Sequence, residues 1–303
     1  MCLNFHLIIH LILQFMESKI GYEVSTKENV YFVIKIIFSV LLYGVIITGI
    51  WATFNIDIPE MASIYLLYVY LIFLCVFLFL RFGLLIGHLK GNAVKLNEKQ
   101  FPEIYQNVVK QSEILGLKYV PSVYIMQSGG ILNAYASRFL GHNYIVLYSE
   151  IVETALQNDK NILWFIIGHE LGHIKRNHMI KNLLLFPAYI VPFLGAAYSR
   201  ACEYTCDNIG SVLSPAGVKN GLLVLASGKL IYKNVNTDEY LAQIQNEKGF
   251  WTWFAEKSAT HPHLTKRLEK FSEEIPVVKI VEEKPKATEV KSDDHSRYFP
   301  KTD

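Results

Sequence analysis

The sequence has little cysteine, and the cysteines that are present do not form a regular framework. There are four in 303 residues, at positions 2, 75, 202 and 206. Small secreted domains held together by disulfides carry a denser, evenly spaced set. Cys202 and Cys206 are four positions apart, a helical spacing that places two cysteines poorly for a disulfide. The cysteine pattern therefore argues against a disulfide scaffold and favours a reducing compartment.

The sequence also lacks a concentrated block of positive charge in the parts expected to fold. Its formal net charge is +2, and charged residues make up only 18% of the chain. Proteins that bind nucleic acid usually carry a basic patch, so no nucleic-acid partner is expected. Hydrophobic residues reach 51%, and the mean hydropathy of +0.24 is high for a purely soluble protein. This composition directs attention to membrane-spanning segments.

Two long stretches, residues 36–54 and 61–80, contain no charged residue. Each is long enough to cross a bilayer as a helix, and the alternative is a pair of buried core helices. The connection between them holds Asp57 and Glu60 but no Lys or Arg, whereas the outer flanks carry six lysines and Arg81. By the positive-inside rule, residues 30–90 form a transmembrane helical hairpin, and the rest of the chain faces the cytoplasm. We therefore expect an integral membrane protein, located in the cell membrane.

Both ends of the chain differ in composition from the middle. Within an N-terminal segment of residues 1–29, the first 16 residues are apolar and lack a basic start. They are either a third hydrophobic anchor or an upstream extension of a chain whose true start is Met16. Residues 281–303 are rich in Lys, Glu, Pro, Ser and Asp, a composition typical of a disordered tail. The folded domain is therefore expected over residues 91–280.

The hydrophobic pattern of this domain predicts an α+β fold, mainly helical, with a small β-sheet. A helix comes first, three short strands follow, and the remaining elements are helices. The predicted helices are 101–115, 150–157, 159–179, 200–212 and 215–232, and the predicted strands are 120–126, 131–139 and 144–148.

The segment His169-Glu170-Leu171-Gly172-His173 carries the main chemical signal. On a helix, residues four apart face nearly the same way, so His169 and His173 can bind one metal ion together. Glu170 lies about 100° around the axis from His169 and about 60° from His173, close enough to reach a metal-bound water without being a ligand. The alternative is a helix with two ordinary surface histidines, but the apolar residues before the motif favour a buried site. The motif predicts a zinc centre with Glu170 as general base.

A catalytic zinc needs a third protein ligand from another part of the chain. Glu203 is the favoured candidate, because Asp207 shares its helix face and could hold the outer nitrogen of a ligand histidine. Cys202 and Cys206 remain rival ligands. His178 lies about 180° around the predicted helix from His169, which indicates a surface or structural residue rather than a ligand.

These motifs resemble those of the HtpX and CAAX prenyl protease type of membrane zinc metallopeptidases, over residues 101–271. The resemblance rests on the histidine motif, on the segment from Ser199 to Asp207, on Asn133-Ala134-Tyr135 and on the segment from Thr260 to Arg267. It implies a zincin-like domain with one Zn²⁺ per chain, bound by His169, His173 and Glu203. It further implies that Asn133, Ala134 and Tyr135 bind the backbone of a protein or peptide substrate. His261 and Arg267 would then stabilise the oxyanion.

The distance between the two metal motifs limits the topology. Residues 182–199 lack charge but include Pro187 and Pro192. A single crossing there would separate Glu203 from His169, and two crossings would need about 40 residues. We therefore expect a segment that dips into the membrane or covers the site. The expected function is a zinc endopeptidase for membrane or misfolded proteins, with CAAX processing or a non-catalytic zinc scaffold as alternatives.

Overall fold

A computed structural model describes residues 21–55, 61–127, 129 and 133–272 of the chain. The expectations for the first 16 residues, for most of the connection at 55–60 and for the tail at 281–303 lie outside these ranges. The same is true of the first two residues of the predicted strand 131–139.

Two long helices come first, α1 (Thr26–Asn55) and α2 (Met61–Asn92). They contain the uncharged runs predicted to span a membrane and extend well beyond them. Most of their apolar side chains are exposed in the isolated chain, whereas a soluble core helix would bury them. Near their adjoining ends the Thr53 and Tyr68 hydroxyls lie 3.2 Å apart. The predicted hairpin therefore corresponds to a pair of helices long and apolar enough to cross a bilayer.

A four-stranded sheet comes next, formed by β1 (Val94–Lys95), β2 (Ser122–Met126), β3 (Ala134–Phe139) and β4 (His142–Tyr148). Its order is β1-β2-β4-β3, with β2 and β4 parallel and the other two pairs antiparallel. The central strand β4 buries four consecutive residues from Tyr144 to Leu147, as expected for a strand covered on both faces. Strand β3 is at the edge, next to the metal motif.

The remaining elements are mostly helices, so the mainly helical α+β fold is confirmed. They are α3 (Pro102–Ile114), α4 (Ser149–Gln157), α5 (Lys160–Lys175), α6 (His178–Leu184), α7 (Leu194–Leu213), α8 (Val218–Ser227), α9 (Thr237–Asn246), α10 (Phe250–Ser258) and α11 (Leu264–Glu269). Asp159 caps α5 by accepting a hydrogen bond from the Asn161 backbone N–H. Glycines allow α5 and α7 to cross closely, since a Cβ on Gly172 would lie 3.2 Å from the Cys206 Cα.

Two predicted helices are shorter than expected. The prediction of one helix over 159–179 is wrong, because Asn177 adopts the left-handed conformation with φ 53° and a new helix begins at His178. The predicted helix 215–232 ends at Ser227, where Gly228 has φ 87°. Between α6 and α7 the chain makes only a short 3-10 turn, Phe186–Ile190. Within the described residues this region contains no spanning helix, as predicted.

Candidate metal centre

Three side chains from α5 and α7 converge at one point. The Nε2 atoms of His169 and His173 lie 3.3 Å apart. The Glu203 carboxylate faces both, with Oε2 3.4 Å from the His169 Nε2 and Oε1 3.3 Å from the His173 Nε2. The helical spacing of the two histidines and the close crossing of α7 over α5 produce this arrangement. The chain thus brings together the three residues that were predicted as ligands.

The spacing of these atoms fits a tetrahedral metal ion. Zinc bonds to nitrogen and oxygen are about 2.0–2.1 Å long, and a tetrahedron with such bonds has edges of about 3.3–3.4 Å. The separations of 3.3 and 3.4 Å among His169, His173 and Glu203 are close to this edge, although the two Glu203 distances end on different carboxylate oxygens. The Glu203 carboxylate is also buried, and its Oε2 has only long contacts, at 3.4 Å to the His169 Nε2 and 3.5 Å to the Arg267 Nη1. An unsatisfied buried carboxylate oxygen aimed at two imidazoles suits a cation between them.

The charges around the site favour a cation as well. Burial opposes a charge on His169, yet hydrogen bonds to Asp207 and Glu203 raise the pKa of its ring to about 10. Burial alone would raise the pKa of Glu203, but hydrogen bonds from His169 and His173 hold it well below its usual range. The ligand pocket therefore attracts positive charge, which a metal ion supplies in place of a proton.

The two cysteines near the site are weaker ligands. Cys206 comes close enough to His173 and His178 to form an alternative ligand group, and Cys202 does so with Glu28 and His178. Burial first, and then nearby carboxylates, raise the pKa of both thiols well above the ordinary value. A metal binds the thiolate, which this environment disfavours, whereas Glu203 is already an anion. The group of His169, His173 and Glu203 fits a metal ion best.

The outer nitrogen of His169 is held by a carboxylate. Its Nδ1 lies 2.8 Å from Asp207 Oδ1, and Asp207 accepts two hydrogen bonds from Arg267, at 2.6 and 2.8 Å. Asp207 is fully buried, and despite that burial the nearby Arg267 lowers its pKa. Asp207 therefore lies where it was predicted to lie, as the partner that fixes the tautomer of a ligand histidine.

The outer nitrogen of His173 has a different support, which the sequence did not reveal. Its Nδ1 lies 3.1 Å from the Nδ1 of His178, whose Nε2 lies 3.2 Å from Glu28 at the start of α1. Glu28 also accepts two hydrogen bonds from Arg176, at 2.8 and 3.1 Å. Burial outweighs the hydrogen bond to Glu28 and lowers the pKa of His178 to about 4, so its ring is neutral. A neutral ring can accept from His173 and donate to Glu28 at the same time.

This arrangement settles the interpretation of His178. It is buried, not at the surface, because the break at Asn177 turns it back toward His173. The only local signal was an asparagine, the non-glycine residue that most readily adopts the left-handed conformation. Glu28 lies 150 residues away from His178 in the sequence, so no local pattern connects the two.

One cavity of about 270 Å³ joins the ligands to the other predicted site residues. Glu170 lines it beside the ligands, with 7% of its surface exposed. Further lining residues are Asn133, Ala134 and Tyr135 at the start of β3, together with His261 and Arg267. His261 has an exposed side chain, and its Nε2 lies 3.5 Å from Glu203 Oε1. Arg267 is buried, and its Nη1 lies 3.5 Å from Glu203 Oε2.

Comparisons with known proteins found similarities to peptidases and to one solved structure. Residues 95–191 match the model of peptidase family M48. Over 67 residues the chain is 39% identical to the CAAX prenyl protease 1 homolog of Dictyostelium discoideum, a match that spans 22% of this chain and 15% of that protein. The crystal structure of S. mikatae Ste24p superposes with a TM-score of 0.44 and 15% identity, covering 88% of this chain and 72% of the other.

By the geometry of its site and by its sequence matches, the chain is similar to membrane metallopeptidases. Within this class, the family whose model matches is peptidase family M48, and the match includes the whole histidine motif on α5. The resemblance inferred from the motifs is therefore confirmed.

Proposed function

We propose that the chain is a membrane-anchored zinc endopeptidase that hydrolyses peptide bonds of membrane or misfolded proteins. The observation that carries the proposal is the convergence of His169, His173 and Glu203: the two Nε2 atoms lie 3.3 Å apart, and each lies 3.3 to 3.4 Å from an oxygen of the Glu203 carboxylate, spacings that suit one tetrahedral ion. These three residues would hold one Zn²⁺ per chain. When bound, zinc supplies Lewis-acid activation of water and of the scissile carbonyl.

Glu170 is the residue that moves the proton. Its carboxylate takes a proton from the attacking water as the water oxygen bonds to the carbonyl carbon, and passes it to the leaving amine nitrogen as the C–N bond breaks. Its place in the cavity wall beside His169 suits this role. A structural metal site has no need of a carboxylate base next to its ligands, which argues against a zinc-binding scaffold.

Strand β3 would bind and orient the substrate. Its edge is available in the described sheet, and its first residues, Ala134 and Tyr135, line the cavity. An extended peptide could add to this edge as a further strand, held by main-chain hydrogen bonds. The Asn133 side chain is oriented beside the first residue of β3, since its Oδ1 accepts a hydrogen bond from the Ala134 N–H at 2.9 Å.

The oxyanion would be stabilised by Arg267 of α11 and by His261, which precedes that helix. The guanidinium of Arg267 is oriented by Asp207, so its direction is fixed before substrate binds. Preorganised donors of this kind lower the barrier because they do not have to reorient during the reaction. The exposed ring of His261 lies at the rim, where a substrate can reach it.

The location of the site follows from the membrane helices and their flanking charges. Lys and Arg flank the uncharged runs of α1 and α2 on the sides away from their connection, and by the positive-inside rule this supports a peptidase domain in the cytoplasm of a protein of the cell membrane. Protease added to intact cells should leave the domain uncut, and cleavage of the domain from outside would contradict the proposed orientation.

The central test is Glu170→Gln in the full-length protein, purified in detergent. We expect casein cleavage to be lost while zinc remains bound at one ion per chain. Glu98→Gln, at an exposed position away from the cavity, is the matched control and should cleave normally. Wild-type cleavage by Glu170→Gln would disprove the mechanism.

CAAX processing is the second candidate, because the Dictyostelium relative is described as a CAAX prenyl protease homolog. A prenylated CAAX peptide and an unmodified peptide of the same sequence separate the two possibilities. Preference for the unmodified peptide and for casein supports the general endopeptidase. A strict requirement for the prenyl group would support CAAX processing. Proteins that co-purify with Glu170→Gln would then identify natural substrates.

A further inference from the structure

The segment between α6 and α7 exposes an unusual amount of apolar surface. Residues 182–199 contain no charged side chain. The outward residues Leu183, Phe186 and Ile190 are 74%, 68% and 72% exposed. Soluble monomers rarely leave a continuous apolar patch of this kind in water.

This segment packs against α1 at the height of its uncharged run. The Tyr43 hydroxyl donates a hydrogen bond of 2.9 Å to the Leu184 carbonyl. Tyr43 lies seven residues beyond Ile36, where that run begins, and seven residues of helix correspond to about 10 Å. If residues 36–54 cross the bilayer, the backbone near Leu184 therefore lies inside the bilayer.

The hydrogen bonding of the segment suits that depth. Backbone groups outside regular helices are tolerated at membrane depth when protein groups satisfy them. The Tyr43 hydroxyl does this for Leu184. On the cytoplasmic side, Lys35 donates to Asn182 Oδ1 at 2.9 Å and lies 4.5 Å from the centre of the Tyr189 ring. The polar groups therefore face inward, while the apolar side chains face outward.

The aromatic face of α10 continues the same surface. Phe254 meets Phe193 edge to face, with ring centres 6.1 Å apart. Phe250, Trp251 and Trp253 are exposed on the same short helix, and Trp251 is 76% exposed. Tryptophan is enriched where a protein meets the boundary between hydrocarbon and water.

We propose that residues 183–193 and the aromatic residues of α10 form one lipid-contacting surface, embedded in the cytoplasmic face of the bilayer. The contact of residues 183–193 with the uncharged run of α1 identifies lipid as the occupant, because a run that crosses the bilayer is surrounded by lipid. Asn182 and Ser199, on either side of the segment, line the catalytic cavity. The cavity therefore borders the membrane surface. The proposal does not depend on catalysis, since it concerns the position of the domain.

Tryptophan fluorescence in liposomes tests the proposal on the full-length protein. The chain has four tryptophans, and replacing Trp51 and Trp164 with Phe leaves only the pair on α10. Phospholipids brominated close to the headgroup should quench most of this emission. A second protein, with Phe186→Trp as its only tryptophan, should be quenched most by bromine deeper in the acyl chains.

Tyr119→Trp as the only tryptophan is the matched control. Tyr119 is exposed in the loop after α3, beside Lys118. It should be quenched by aqueous acrylamide and hardly at all by brominated lipid. The proposal is overturned if the α10 pair and Phe186→Trp behave like this control. It is equally overturned if neither brominated lipid nor acrylamide quenches these two proteins until the protein is diluted. That result would show that a second copy of the chain covers the surface.

Discussion

Replacing His178 with alanine tests how the metal site is held together. His178 is 3% exposed and accepts the only hydrogen bond seen for the outer nitrogen of His173 in the described part of the chain, at 3.1 Å. The change leaves the His173 Nδ1–H without that acceptor and frees the ring to rotate. Loss of such a partner typically costs about 10–100-fold in metal affinity, or about 1.4–2.7 kcal/mol. We expect zinc binding to weaken by this factor.

The assay is a competition titration of the metal-stripped protein in detergent against a chromophoric zinc chelator. His178→Gln is the conservative variant, because its amide can accept from His173 and donate to Glu28. It should recover most of the affinity. His88→Ala, which removes an exposed histidine of α2, is the matched control and should bind as the wild type does.

Two outcomes would refute this reasoning. Wild-type affinity in His178→Ala would show that the contact with His173 does not orient the ligand. An equal loss in His178→Gln, with normal far-ultraviolet circular dichroism in both variants, would show that hydrogen bonding is irrelevant.

Glu28→Gln extends the test to α1. It keeps an acceptor for His178 but breaks the ion pair with Arg176, so we expect a smaller loss of zinc affinity and a lower thermal stability.

Two further predictions concern the third ligand and the helix crossing. Glu203→Ala should lose most of its zinc by elemental analysis, whereas Cys206→Ala should keep it; the reverse result would identify a thiol ligand. Gly210→Ala places a Cβ 2.9 Å from the backbone oxygen of Phe165, and overpacking of this kind costs about 1–3 kcal/mol. Its thermal midpoint and zinc content should fall, while Gly91→Ala, in open space on α2, should change neither. If Gly210→Ala had the same thermal midpoint as the wild type, the close approach of α5 and α7 would not be required for stability.

The parts of the site that the sequence predicted are those that local geometry determines. His169 and His173 share one helix face because of the helical repeat, and the same repeat places Glu203 and Asp207 together on α7. The resemblance to known peptidases then linked the two helices, which spacing alone could not do. The strand 131–139 was predicted from its hydrophobic pattern and the flanking turn residues, and the structure forms it over Ala134–Phe139.

The parts that the sequence did not predict depend on tertiary contacts. Nothing in the composition around Asn177 required a break, and a continuous helix would have placed His178 opposite His169. The left-handed turn is stabilised by the contacts of the next residue, since His178 becomes buried between His173 and Glu28. Long-range contacts of this kind override local helix propensity. The coupling of the membrane helix to the metal site could therefore not be read from either segment alone.

The groups that hold the outer nitrogens of His169 and His173 have the same arrangement of charges. Each ends in a buried carboxylate paired with an arginine: Asp207 with Arg267, and Glu28 with Arg176. Each pair is neutral as a whole, so it orients an imidazole without adding net negative charge beside the ion. Among the three proposed ligands only Glu203 is charged, and it would offset half of a divalent charge. The positive charge that remains is available to polarise a substrate carbonyl, an advantage that a site rich in thiolates would lose.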